Sequence, residues 1–161
     1  MIAVFPGSFD PVTNGHLDII KRSSRIFDQL VVLIMTNTSK KSLFSVAERK
    51  KLLQKAVAEL SNVEVQAAAD SLTVTAVKKL HAAVIIRGVR NANDYLFEKD
   101  ISLLNRQLDS QIETFLLPCS PKFSMISSSY LKEIASFGGN LTGLVPNFVE
   151  KALKERLRSH E

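Results

Sequence analysis

Five short apolar runs, each parted from the next by a stretch with helical spacing, constrain this chain more than any other feature of its sequence. The runs are Met1–Phe5, Leu30–Met35, Val63–Ala67, the VII of Val84–Ile86 and Thr114–Leu117. They are too short for helices and rich in branched residues, so they read as buried strands. Between them, Leu17, Ile20, Ser24 and Phe27 share a helical face, with Ile19 and Ile26 beside it. Ser45 and Glu48 form a capping box ahead of Leu52, Leu53, Ala56, Val57 and Leu60. Further helices are expected over Thr73–Leu80 (Val74 and Val77 inward), from Asn93 or Asp94 as cap through Leu96, Phe97, Ile101, Leu104 and Leu108, over Tyr130–Phe137, and from Pro146 to Leu157. Strands alternating with helices imply an α/β fold: an open, Rossmann-like parallel sheet with right-handed crossovers and helices on both faces. The 161 residues suit a single domain spanning 1–161.

Composition narrows the partners. A hydrophobic fraction of 45% with 23% charged residues describes a globular protein, and no apolar run reaches membrane-spanning length, so a cytoplasmic protein without a membrane partner is expected. The formal net charge of +5 invites nucleic acid. However, the basic residues are dispersed, aromatics are only 7%, and no nucleic-acid motif occurs, so phosphorylated small molecules account for the charge equally well. Cys119 is the single cysteine, which excludes an internal disulfide framework and favours a packed thiol.

The first strand runs into Phe5–His16, FPGSFDPVTNGH, which turns through Pro6-Gly7 and opens a helix near Gly15 with Thr13 or Asn14 as cap. His16 then lies in the first helical turn, where free N–H groups and the dipole favour an anion and disfavour an imidazolium. A neutral imidazole still donates one hydrogen bond, and Ser8 and the loop amides can donate others. An ordinary βα turn with a helix-opening histidine is the equal alternative on these residues alone.

Two other stretches carry donors. Arg87 ends the fourth strand, Gly88 allows the backbone to turn sharply, and Arg90 follows. In FSMISSS, Phe123–Ser129, three serines precede a helix and offer hydroxyls and amides to phosphate oxygens, or no more than an N-cap. A sheet order of 3-2-1-4-5 would place a switch point between strands 1 and 4 and bring GSFD and RGVR to one crevice.

GSFDPVTNGH, IRGVR and ISSS together resemble the HxGH nucleotidyltransferase superfamily and, within it, the bacterial phosphopantetheine adenylyltransferase family, with Thr13 in place of the first histidine. The resemblance runs from Phe5 to about Pro146. It implies His16, Lys40 and Arg90 as catalytic residues. It implies ATP contacts at Ser8, Phe9, His16, Gly88, Val89, Arg90 and Glu98, and at Phe123, Ser124, Met125, Ile126, Ser127, Ser128 and Ser129. For 4′-phosphopantetheine it implies Ser8, Lys40 of the SKK segment, Leu72 and Thr73 of SLTV, Arg87 and Asn105. Two departures are visible: Ala68-Ala69-Asp70 lacks the family's aromatic and glycine, and YLFE replaces FEYE around Glu98.

The implied reaction is transfer of the adenylyl group of ATP to 4′-phosphopantetheine, giving dephospho-coenzyme A and pyrophosphate, with coenzyme A as a further candidate ligand. No paired carboxylates, Cys–His pair or GxSxG elbow occurs in the motifs, which disfavours a covalent intermediate. A phosphate monoester needs no general base, since its second pKa is about 6. Mg²⁺ is expected to arrive with ATP and no protein metal site is expected. A homohexamer is implied by resemblance. The alternatives are a superfamily transferase acting on nicotinate mononucleotide or a polyol phosphate, and a non-catalytic nucleotide sensor.

Overall fold

The structure is a computed structural model that describes residues 1–36, 42–68 and 71–158. Five parallel strands, β1 (Ile2–Gly7), β2 (Gln29–Met35), β3 (Val63–Ala68), β4 (Val84–Val89) and β5 (Glu113–Pro118), form one sheet in the order β3-β2-β1-β4-β5. This is the expected order. β1 lies between β2 and β4, so the chain leaves the sheet centre in opposite directions on its two sides.

Residue alternation along the central strands divides the core in two. Ala3, Phe5, Leu30, Val32, Ile34 and Ile86 face helices α1 (Asn14–Ser24), α2 (Val46–Ala56), α5 (Ser128–Ser136) and α6 (Asn147–Arg158), which contribute Ile20, Leu53, Leu131 and Leu153. Val4, Val31, Leu33 and Ile85 face α3 (Thr73–Lys79) through Val74 and Val77. Burial on both faces explains why these strands read as unbroken apolar runs. Ser45 and Glu48 close the expected capping box at α2.

α4 (Ala92–Leu108) departs from expectation twice. Its N-cap is Asn91, whose side chain accepts the Asp94 N–H at 2.9 Å; the carboxylate of Asp94, an expected cap, is instead bound to Arg90. The stripe Leu96, Phe97, Leu104 and Leu108 is 53–63% exposed, whereas Glu98 and Asn105 are buried. The helix therefore turns a polar face to the chain and an apolar one outward. α1 stops at Ser24, leaving Ile26 outside it and 66% exposed.

Candidate active site

A crevice of about 300 Å³ opens at the carboxyl ends of β1 and β4, the two strands flanking the switch point. Sheet geometry puts it there: successive connections leave β1 and β4 toward opposite faces and part at their ends. Of the expected residues, Ser8, Phe9, His16, Arg87, Gly88, Arg90, Glu98, Phe123, Ile126, Ser127 and Ser128 line it.

The β1 turn is built around Phe9. Its φ of +47° lies in the left-handed region, unusual for a bulky side chain, and the residue is only 1% exposed. The ring meets Phe5 edge-on at 5.4 Å and the His16 imidazole at 5.0 Å. Gly7 makes room for it, since a Cβ there would stand 3.0 Å from the Phe9 ring. The turn thus uses its strained residue to wall one side of the histidine.

Thr13 and His16 cap α1 reciprocally. The His16 N–H donates to Thr13 Oγ1 at 3.2 Å, and the Thr13 N–H donates to His16 Nδ1 at 3.1 Å. A main-chain N–H can only donate, so Nδ1 is the unprotonated nitrogen and the proton sits on Nε2. Desolvation first, then the charges of Arg90 and Arg87, lowers the imidazole pKa from 6.5 to about 4. His16 is therefore neutral near pH 7 and has Nε2–H as its donor.

The arginines are held by carboxylates. Arg87 donates from Nε to Glu98 Oε2 at 2.7 Å, from Nη2 to Glu98 Oε1 at 2.5 Å and from Nη1 to the Pro6 carbonyl at 2.8 Å. Arg90 repeats the arrangement, with Nε to Asp94 Oδ2 at 2.7 Å, Nη2 to Asp94 Oδ1 at 3.1 Å and Nη1 to the Ile126 carbonyl at 3.2 Å. A guanidinium has five N–H donors, so each keeps two for a ligand. The hydrogen bonds with Arg90 hold the Asp94 carboxyl below its usual range and raise Arg90. Both carboxylates that line the crevice among the described residues are thus committed to arginines. Among the described residues no cluster of His, Cys, Asp or Glu is suited to a metal.

α5 presents its N-terminus on the same side. Ser127 Oγ caps the helix by accepting the Tyr130 N–H, and Ser128 Oγ donates to the Pro11 carbonyl at 2.9 Å. Two serine hydroxyls are therefore engaged within the protein, and the backbone amides carry the potential for anion binding. Gly88 has a role other than the expected sharp turn. It lies within β4 outside the left-handed region, and its missing side chain admits Ile19 of α1, which a Cβ would approach at 3.1 Å.

Several expected residues lie away from the crevice lining. Val89 is buried in β4, Met125 is 84% exposed, and Ser124 and Ser129 flank the lining residues. Leu72, the α3 cap, is 65% exposed, with Thr73 after it; Asn105 is buried along α4. Lys40 lies outside the described residues. Conversely, Thr13, Asp94 and Cys119 line the crevice without having been singled out as site residues. Thr13 and Asp94 had a signal in their spacing, three before His16 and four after Arg90. The Cys119 thiol, half-buried, is pushed up by desolvation, as befits a packed thiol.

The cytidylyltransferase-like family model matches residues 4–134. A phosphopantetheine adenylyltransferase of Levilactobacillus brevis is 51% identical over 97% of this chain and 96% of its own. The chain belongs to the phosphopantetheine adenylyltransferase family. The family member from Limosilactobacillus fermentum is 49% identical over 99% of this chain and 92% of its own. The fold is shared more widely than the family. A crystal structure from Vibrio parahaemolyticus, provisionally a nicotinate-nucleotide adenylyltransferase, superposes with a TM-score of 0.69 at 19% identity, covering 94% of this chain and 97% of that one.

Proposed function

We propose that this chain transfers the adenylyl group of ATP to 4′-phosphopantetheine, giving dephospho-coenzyme A and pyrophosphate. The observation that carries this reading is family membership at about half identity along nearly the whole chain, joined to a crevice whose donors suit phosphate. The acceptor phosphate attacks the α-phosphorus of ATP in line as pyrophosphate leaves. His16 Nε2–H, the free donors of Arg90 and the α5 amides stabilise the charge that develops on the nucleotide phosphates. Arg87 holds the acceptor phosphate with Lys40, and Leu72, Thr73 and Asn105 extend the acceptor site. Glu98 orients Arg87. Mg²⁺ enters as part of the nucleotide.

The exposed apolar stripe of α4 supports self-association, and we assign the family-based homohexamer to this chain. Among the described residues no helix is long and apolar enough to cross a membrane.

Pyrophosphate release from Mg·ATP, measured with 4′-phosphopantetheine, nicotinate mononucleotide and glycerol 3-phosphate in turn, tests the reading. Release with the first alone is expected. Release with another acceptor would overturn the substrate, and silence with all three despite ATP binding would overturn the activity.

A further inference from the structure

Behind the β1 turn lies a buried cation that pairs with no carboxylate among the described residues. Arg49 of α2 is 3% exposed, and among the described residues no acidic side chain pairs with it. It donates from Nη1 to the Ser8 carbonyl at 2.8 Å, while its Nε is buried with no partner among the described residues. A guanidinium desolvated in this way is costly, and an apolar side chain of similar volume would fill the space at less expense. Packing alone therefore does not explain Arg49.

Its one polar contact among the described residues is beside the strained residue. Ser8 and Phe9 both line the crevice, Arg49 does not, and the peptide joining Ser8 to Phe9 is trans. In a trans peptide the C=O and the following N–H point in opposite directions. Drawing the Ser8 carbonyl back toward α2 thus turns the Phe9 N–H the other way, away from Arg49. Among the described residues that N–H donates no hydrogen bond within the protein.

The other side of Phe9 is fixed as well. Asp10, 5% exposed, accepts the N–H groups of Leu43 and Phe44 at 2.9 Å each and pairs with Lys132 Nζ of α5 at 3.1 Å. The turn is clamped by α2 before Phe9 and by the α2 approach and α5 after it. A left-handed phenylalanine persists only where its surroundings over-determine it.

We propose that Arg49 is a positioning residue: by holding the Ser8 carbonyl it keeps Phe9 left-handed and presents the Phe9 N–H as a fixed donor to a nucleotide phosphate oxygen. The inference rests on the adenylyl-transfer reading for its substrate, but the donor itself can be observed with inorganic pyrophosphate alone.

Arg49→Met and Arg49→Lys are compared with wild type by pyrophosphate release, calorimetric Mg·ATP binding and thermal unfolding. Arg49→Met should lower kcat/KM for ATP by about ten- to a hundredfold, the range for losing a charged donor and its dependent one. The KM for 4′-phosphopantetheine should stay within about twofold, and Arg49→Lys, which keeps a cationic donor, should recover most of the loss. Wild-type kcat/KM in a less stable Arg49→Met protein would overturn the proposal, as would equal changes for both substrates. If Arg49→Met does not fold, wild type labelled with ¹⁵N-phenylalanine decides. The Phe9 amide proton should move downfield on titration with pyrophosphate, and an unmoved resonance under saturating pyrophosphate would refute the donor. A moved resonance in a protein that releases no pyrophosphate with 4′-phosphopantetheine would keep the donor and sink the functional reading instead.

Discussion

Arg87 and Glu98 meet in a two-point ion pair, 2.7 Å and 2.5 Å, in the wall of the crevice, eleven residues apart in sequence and on different elements. The glutamate is buried and the arginine side chain is 28% exposed, so the charge is oriented without being sealed from a ligand. Arg87→Ala is expected to weaken 4′-phosphopantetheine about 100-fold while leaving unphosphorylated pantetheine unaffected. Glu98→Ala, by freeing the guanidinium, should destabilise the fold by about 2 kcal/mol and weaken the same ligand. Calorimetric titrations with both ligands and denaturant unfolding check this; equal loss of pantetheine binding in Arg87→Ala would contradict a phosphate role.

His16 has one donor facing the crevice because the helix cap takes its other nitrogen. A donor that serves developing charge contributes more to turnover than to ground-state binding. His16→Ala should therefore lower kcat by about 100- to 1000-fold with ATP affinity within a few-fold of wild type. Pre-steady-state pyrophosphate release alongside nucleotide titration separates the two, and an unchanged kcat would remove His16 from the chemistry.

Much of this architecture is legible in the sequence because two periodicities do not overlap. Doubly buried strands such as Leu30–Met35 announce themselves as apolar runs, and the Ser45–Glu48 box marks its helix start by spacing alone. Other features escape because they depend on contacts distant in the chain. Nothing around Gly88 says that Ile19 will stand against it, and nothing at Arg49 says that Ser8, forty-one residues earlier, will be its partner. The α4 stripe misled for another reason. Apolar spacing marks a face as apolar, and not whether this chain packs against it.

The lowered pKa of His16 sets a pH window for stability. The unfolded histidine titrates at its ordinary 6.5 and the folded one at about 4. Between those values the unfolded chain binds the extra proton, so the His16 contribution is full above the upper value and falls as pH drops through the window. Denaturant midpoints measured from pH 7.5 to about 4.5 should decline in wild type more than in His16→Gln. Nitrogen-detected imidazole spectra should show Nε2–H as the main tautomer down to about pH 5, and protonation of His16 near 6.5 would contradict the buried cap.

Leu96, Phe97, Leu104 and Leu108 offer an apolar face that a monomer leaves in water. Light scattering should give a mass of about six times the 17.8 kDa chain. Phe97→Asp with Leu104→Asp should reduce it to smaller species, since charges at the centre of an apolar interface are desolvated without partners. A wild-type protein that remains monomeric at micromolar concentration would dispose of the hexamer.

Gly7 and Phe9 provide the strictest test of how the turn supports the histidine. An alanine Cβ at Gly7 would meet the Phe9 ring atoms at 3.0–3.4 Å, and that ring is held between Phe5 and His16. A ring packed against both neighbours resists displacement, so overpacking of about 1–3 kcal/mol is expected for Gly7→Ala. The strain should reach catalysis through the imidazole and lower kcat about tenfold, since a small displacement of a donor is enough. Phe9→Leu in the same background removes the aromatic atoms that clash. The double variant should therefore recover stability relative to Gly7→Ala, with a coupling energy of about 1 kcal/mol or more in a double-mutant cycle. Additive losses would mean that the glycine is required by the backbone and not by the ring it faces.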